Sequence, residues 1–450
     1  MSKRRSRRSL LRAGVAAAVV GTAGCLDAIE DGIDSTPGAG DTAWSQYRGG
    51  PENRGTSDDS GPGADPEIEW SWQADSPEVD EADMLMGTQI NGPVIVGEHA
   101  YVTTPYQYGD ADDGFDEGFT LFAVDLETGE TESRVELPHE GTDIPPYPLA
   151  TDGDYVYCYT AHRDAVELLA VDLDAGKLAF EVEPEYTLST GFTLADDVLY
   201  FGGGTVHARE SAGGESKWDL ELEDRSDRPR RTTQIIPPTV TDDVVYAGVH
   251  AELVAVDRAS GEENWRVEVG HEDRIYRDGH PTQVYPPVLV GESLYLTSGE
   301  PFQLSDGALI ALDPADGSEQ WRYQPPKGEA GDPEGMEPGA IYGVPTPGDD
   351  ALFAVGIEEG DRKLFAVGQD GELDWSTPTE WLSISPVLVD GLLYLPAGEG
   401  VAVFDATDGE RLAEVNLPAD PTPGAYESPA VVGDRLLVPT REGLVSIRGN

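Results

Sequence analysis

LVAVDRASGEENW, residues 253–265, decides the fold. It reads as an apolar strand ending Ala-x-Asp, a turn closing on Gly261, and a second strand that carries Trp265 four residues later. The same unit recurs as LFAVDLETGETES from Leu121, LLAVDLDAGKLAF from Leu168, VHARESAGGESKW from Val206, LIALDPADGSEQW from Leu309, LFAVGQDGELDW from Leu364 and VAVFDATDGERLA from Val401. A final copy, LVSIRGN from Leu444, stops after its first strand.

Between these copies lies a second unit, two short apolar strands joined by a tight turn of Gly, Asp or Glu, the residues that accept positive φ or close a turn with local hydrogen bonds. GPVIVGEHAYVTT at Gly92, PPVLVGESLYLTS at Pro286 and SPAVVGDRLLVPT at Ser428 are three of eight such hairpins. With this hairpin as strands A and B and the Ala-x-Asp unit as strands C and D, eight repeats of four strands predict an all-β, eight-bladed β-propeller of four-stranded blades. A parallel solenoid is the competing architecture. Single blades cannot bury both faces, so neighbours must stack. The last copy lacks a D strand, and EIEWSWQ from Glu67 is strand-like with no hairpin of its own. The expectation is therefore a ring closed by an N-terminal strand pairing with the C-terminal blade, which removes two free edges.

The Ala-x-Asp-x-x-x-Gly-x-x-x-Trp unit resembles the tryptophan-docking repeat of quinoprotein-type (PQQ-like) propellers, and WSQYRGGPENRG from Trp44 resembles the lead-in segment of bacterial and archaeal members. Trp218, Trp265, Trp321 and Trp375 take the fourth place after Gly214, Gly261, Gly317 and Gly371, whereas Phe180, Ser133 and Ala413 replace Trp elsewhere. These rings are expected to be structural: each buries a large apolar face and offers an indole N–H to a neighbouring carbonyl. The Asp and Gly of each unit are expected to do turn chemistry.

The chain divides on this reading into a signal peptide at 1–25, a flexible tether and lead-in segment at 26–65, and the propeller at 66–450. Arg7 and Arg8, in SRRSLLR, resemble a twin-arginine export signal, and TAGC ending at Cys25 resembles a lipobox. The apolar run between them is about a dozen residues, short of the roughly 20 a helix needs to span a bilayer. The expectation is a protein exported by the twin-arginine route and held at the extracytoplasmic face of the cell membrane by lipid on Cys25.

Asp and Glu number 86 against 29 Lys and Arg, a formal net charge of −57, and the first 25 residues hold six of the basic side chains and no acidic one. Such a shell repels itself at a screening length of about 10 Å and is relieved when salt shortens it to about 3 Å. The composition is that of a halophile, in keeping with a haloarchaeal source, and it excludes nucleic acid as a partner. Beyond Cys25 the one cysteine is Cys158, so the propeller has neither an internal disulfide nor the vicinal Cys pair that the resemblance implies for a quinone enzyme.

In a propeller the A–B and C–D turns share one face of the disc and the B–C and D–A connections the other. The second set is the longer and more varied, which is where binding usually resides. Asp110, Asp112, Asp113, Asp116 and Glu117 crowd one B–C segment, a candidate calcium loop weighed against solvated surface. His271 and His280, with nearby acids, are weighed for zinc against loop packing. A basic sector stands out on the acidic disc: Arg225, Arg228, Arg230 and Arg231 enter blade four, and Arg274, Tyr276 and Arg277 leave it. Pairing with local acids is one reading; an anion site for an acidic glycan, a phosphate group or a partner's carboxylates is the other. The resemblance implies a binding or assembly scaffold of the BamB type with no cofactor. The alternative it leaves open is an alcohol or sugar dehydrogenase using pyrroloquinoline quinone (PQQ) with calcium.

Overall fold

The computed structural model describes residues 44–449 except 75–91, 111–113, 138–143, 163–164, 183–190, 202–204, 223–236, 250–251, 270–283, 299–306, 327–338, 381–384 and 420–427. The described residues form eight sheets, each with a sequential antiparallel A-B-C-D order, arranged as the blades of a propeller. Blade four is representative: Thr239–Val240, Val244–Val249, Glu252–Asp257 and Glu263–Glu268. Blades bury both faces of their inner strands against neighbours, so these strands read as continuous apolar runs, and Ala308–Leu312 is buried throughout. The outermost strand meets solvent and turns polar, as at Glu319–Tyr323. The core is correspondingly distributed between blades; one cluster joins Tyr200 and Val206 of blade three to Val245 and Val256 of blade four.

Closure follows the sequence expectation. Pro66–Gln73 pairs antiparallel with Gly443–Gly449, with Ile68 opposite Ile447 and Trp72 opposite Leu444. The N-terminal strand thus supplies the D strand of blade eight, whose A and B strands are Ala430–Val432 and Arg435–Pro439. Thr56–Ser57 adds a short parallel strand to Val387–Val389 of blade seven.

The repeat Asp and Gly act as turn residues. Asp257 Oδ1 accepts from Ser260 N and Oγ at 2.8 and 2.7 Å, and Gly261 has φ +76°. Each docking indole then lies over the turn of the next blade. Trp218 Nε1 donates to Arg258 O, Trp265 to Pro314 O and Trp321 to Gln369 O, all at 2.9–3.0 Å. A methyl at Gly261 would stand 2.6 Å from Trp218 Cδ2, and one at Gly409 2.5 Å from Trp375 Cε3. Sequence reasoning missed Trp70, which docks in the same way, bonding Leu126 O at 3.0 Å above Gly129. The signal was present: aligning EIEWSWQ on the other D strands puts Trp70 opposite Ser446, where Trp265 faces Ala255.

These contacts make a prediction. Gly261→Ala should cost about 1–3 kcal/mol in chemical denaturation, because it combines a left-handed backbone with an indole in the way. Gly291 has φ +58° with open space around a new Cβ, so Gly291→Ala should lose only the backbone part. Equal losses would show that the indole contact contributes nothing.

One expected loop is strand instead. Residues 105–110 and 114–119 of blade one extend the hairpin His99–Asp110 and Gly114–Asp125, with Tyr108 opposite Asp116 and Asp110 opposite Gly114.

Candidate functional site: a plugged hub and its flanking cleft

The lead-in segment from Trp44, read from sequence as the end of a tether, is packed across the A–B turn face of the disc. Its buried polar side chains, Gln46, Arg48 and Asn53, reach different blades, and the exposed Arg54 reaches a further one. Trp44 is 2% exposed and packs with Ile95 and Trp72. Gln46 takes the part of a strand neighbour, bridging Ala150 of blade two while its amide gives to Leu194 O and accepts from Leu194 N of blade three, at 2.9 and 2.8 Å. Asn53 Nδ2 donates to Pro238 O and Thr239 Oγ1 of blade four at 3.2 and 3.1 Å. Arg54 Nη2 reaches Leu289 O of blade five, and Gly61 N reaches Gly433 O of blade eight.

Arg48 is the centre of this plug. It is 1% exposed, and its own backbone takes φ +54° beside Gly49 at +93°. Nε donates to Asn53 O at 2.8 Å, and Nη2 to Arg54 O at 2.9 Å and Thr346 Oγ1 at 2.8 Å; Nη1 approaches Pro386 O at 3.4 Å. These acceptors are all neutral. Burial pushes the guanidinium down to about 10, which leaves it cationic at neutral pH. A planar fork with five donors is the side chain that can satisfy so many carbonyls from one point.

Beside the plug, between its arch and the A–B turns of blades three and four, lies a cleft of about 370 Å³. Its polar lining includes Glu52, Arg54, Thr151, Asp196, Asp242 and Arg258. The cations there are committed: Arg54 pairs with Glu52 at 2.6 Å, and Arg258 with Asp196 at 2.8 Å. Arg258 also bonds the Tyr200 hydroxyl at 3.0 Å, tying blade three to blade four. Asp196 and Asp197 hold the blade-three turn at φ +50° and +62° without glycine. Among the described residues the lining contains no histidine or cysteine and no nucleophile beside a base, and the chemistry these residues offer is hydrogen bonding and charge.

Of the other sequence candidates, Arg7, Arg8, Cys25, Arg228, Arg230, Arg231, Arg274, Tyr276, Arg277, His271 and His280 lie outside the described residues, as do Asp112 and Asp113 of the acidic segment. Cys158 is fully buried, and burial pushes its thiol well above the usual range.

The comparisons agree with this architecture. The family model described as outer membrane protein assembly factor BamB matches residues 36–323 and 305–450. This chain belongs to that family. Among solved structures, BamB from Moraxella catarrhalis is similar at 16% identity and a TM-score of 0.55, covering 84% of this chain and 99% of that one. A quinohemoprotein alcohol dehydrogenase from Pseudomonas putida is similar at 12% identity and 0.59, covering 91% and 80%. One from Comamonas testosteroni stands at 12% and 0.57, covering 90% and 80%. At these identities the likeness establishes the fold alone. No curated protein matches the chain.

The described hub does not fit the quinone of those dehydrogenases. A flat, multiply anionic cofactor needs free cations and an open slot; here Arg48 spends its donors on carbonyls and fills the space with Asn53, and the neighbouring Arg54 and Arg258 already hold carboxylates. On one face of this BamB-family propeller its own N-terminal segment is thus bonded to blades three, four, five, six and eight.

Proposed function

We propose that this BamB-family chain is a membrane-tethered, extracytoplasmic binding scaffold. The observation that carries the reading is the plug: Gln46, Arg48 and Asn53 are buried on the turn face and spend their donors on blade carbonyls and hydroxyls, which directs binding to the opposite face of B–C and D–A connections. The sequence supports the rest. The twin-arginine motif at Arg7 and Arg8 directs export, Cys25 takes the lipid, and the basic sector of Arg228, Arg230, Arg231, Arg274, Tyr276 and Arg277 receives a partner protein or glycan through its carboxylates. Bidentate guanidinium–carboxylate pairs give such a contact both strength and orientation.

The test has two arms. Cys25→Ser should move the protein from the membrane to the soluble fraction or stall its maturation. Unchanged membrane association with an unlipidated N-terminus would refute the anchor. Replacing Arg230, Arg231 and Arg277 with Ser should abolish partner capture from native membranes in high salt while leaving the melting transition intact. Undiminished capture by the triple variant would rule this sector out.

A further inference from the structure

Every C–D pair in the propeller slips register by one residue next to the docking position. The slip falls between Ala123 and Val124 in blade one, Ala255 and Val256 in blade four, Ala311 and Leu312 in blade five, and Ile68 and Trp70 in blade eight. The extra D-strand residue is Glu132, Asn264, Gln320 or Glu69 respectively. Such a bulge re-aims its side chain. Here the extra residue joins the first residue of strand B and the strand-C residue opposite it, as His99 with Asp125 and Arg435 with Arg448, which makes a three-residue station at the turn-side edge.

Blade eight shows what the station does when charged. Arg435 gives two hydrogen bonds to Glu69, Nε to Oε2 at 2.7 Å and Nη2 to Oε1 at 2.9 Å, and Arg448 Nη1 adds one at 2.9 Å. Two guanidinium groups thus surround one carboxylate. In blade five the station is neutral across its B and D members, with Ser293 Oγ donating to Gln320 Oε1 at 2.8 Å. Blades two, three, four and seven put Ala179, Lys217, Asn264 and Leu412 at the bulge and Tyr155, Val198, Val244 and Leu392 on strand B.

Blade one inverts the charge balance of blade eight. Its station is His99, Asp125 and Glu132, and one ligand-type atom from each lies within 4.8 Å of the others. His99 Nε2 meets the Glu132 carboxylate. Asp125 is held by its turn: Oδ1 accepts from Thr128 N and Oγ1, both at 2.8 Å, which leaves Oδ2 uncommitted among the described contacts. Among the described residues no Lys or Arg pairs with Asp125 or Glu132. The one arginine that crosses from blade eight to this turn, Arg435, contacts Glu127 at 3.3 Å. Two carboxylates therefore share a station with a single imidazole, where the equivalent place in blade eight brings two cations to one carboxylate.

We propose that His99, Asp125 and Glu132 form a site for a late first-row divalent ion of the zinc class, with water completing its shell. One imidazole and two carboxylates on adjacent strands are a three-ligand open set. The nitrogen donor biases it against Mg²⁺, Ca²⁺ and the alkali ions of a salty medium. The ion ties strands B, C and D of blade one together directly under the Trp70 dock at Gly129.

The test is titration of the full chain with Co²⁺, read by its visible ligand-field band, followed by displacement with Zn²⁺. Wild type should bind, and zinc should raise its melting temperature. His99→Ala and the isosteric, solvent-facing Glu132→Gln should each weaken Co²⁺ binding by at least about tenfold. The zinc-induced rise should disappear in both. His271→Ala with His280→Ala should leave this band in place, which separates it from any binding at those histidines. Absence of a band in wild type overturns the proposal, as does a band that survives in both blade-one variants. In either case the station is an ion pair and nothing more.

Discussion

A chain lacking residues 66–73 is expected to lose its cooperative unfolding transition altogether. The strand Pro66–Gln73 is the whole D strand of blade eight, and it carries Trp70 onto Gly129 and Trp72 Nε1 onto Thr131 Oγ1 at 2.8 Å. Its removal exposes the edge of Gly443–Gly449 and uncovers the flank of blade one, so the ring opens at its only covalent discontinuity. Removing residues 26–40 should leave the transition where it was. Equal melting temperatures for the two truncations would show that closure resides elsewhere.

Glu69 allows the same closure to be weakened without deleting it. Burial pushes its carboxyl up, but hydrogen bonds from Arg435, Arg448 and Ser446 outweigh that and hold it below the ordinary range. With the folded value depressed, the contribution is complete above the unfolded carboxylate value of about 4.3 and is lost as pH falls through the lower folded value. Glu69→Gln should therefore cost about 1–3 kcal/mol at neutral pH and flatten the loss of stability below about pH 4. An acid limb unchanged in the variant would remove Glu69 from the closure account.

Arg48→Ala is the second large effect, a loss on the order of 3–5 kcal/mol in urea at fixed salt. The substitution strips donors from Asn53 O, Arg54 O and the Thr346 hydroxyl around a guanidinium that is only 1% exposed, and it empties the volume beneath Gly55. Arg48→Lys should recover little, because a point charge with three donors cannot span acceptors arranged around a planar fork. A wild-type midpoint for Arg48→Ala would mean that the plug is held by Gln46, Asn53 and Trp44 alone. If the midpoint falls but partner capture persists once the protein is folded, the plug is structural and binding belongs to the other face, as the proposed function requires.

Much of the molecule is legible in its amino acids because repeats encode contacts between residues close in sequence. LVAVDRASGEENW contains both strands of a C–D pair and the turn that joins them, so Asp257, Gly261 and Trp265 reveal their roles within thirteen residues. The missing strand after LVSIRGN announced ring closure by the same logic, since an unfilled place in a periodic pattern is itself a signal. Trp70 is legible in that same alignment, one residue past the bulge at Glu69.

Tertiary structure alone decided the plug and the stations. Gln46, Arg48 and Asn53 occur once, follow no period, and bond residues 148, 298 and 186 positions away, so nothing local distinguishes them from a polar tether. Likewise His99, Asp125 and Glu132 meet only because strand D slips by one residue against strand C, and a register slip is a property of the pairing. Local periodicity sets which elements form and in what order. Which single-copy side chains share a buried hub or a bulge is settled when the blades close, because only then do those side chains lose water and have to find partners in one another.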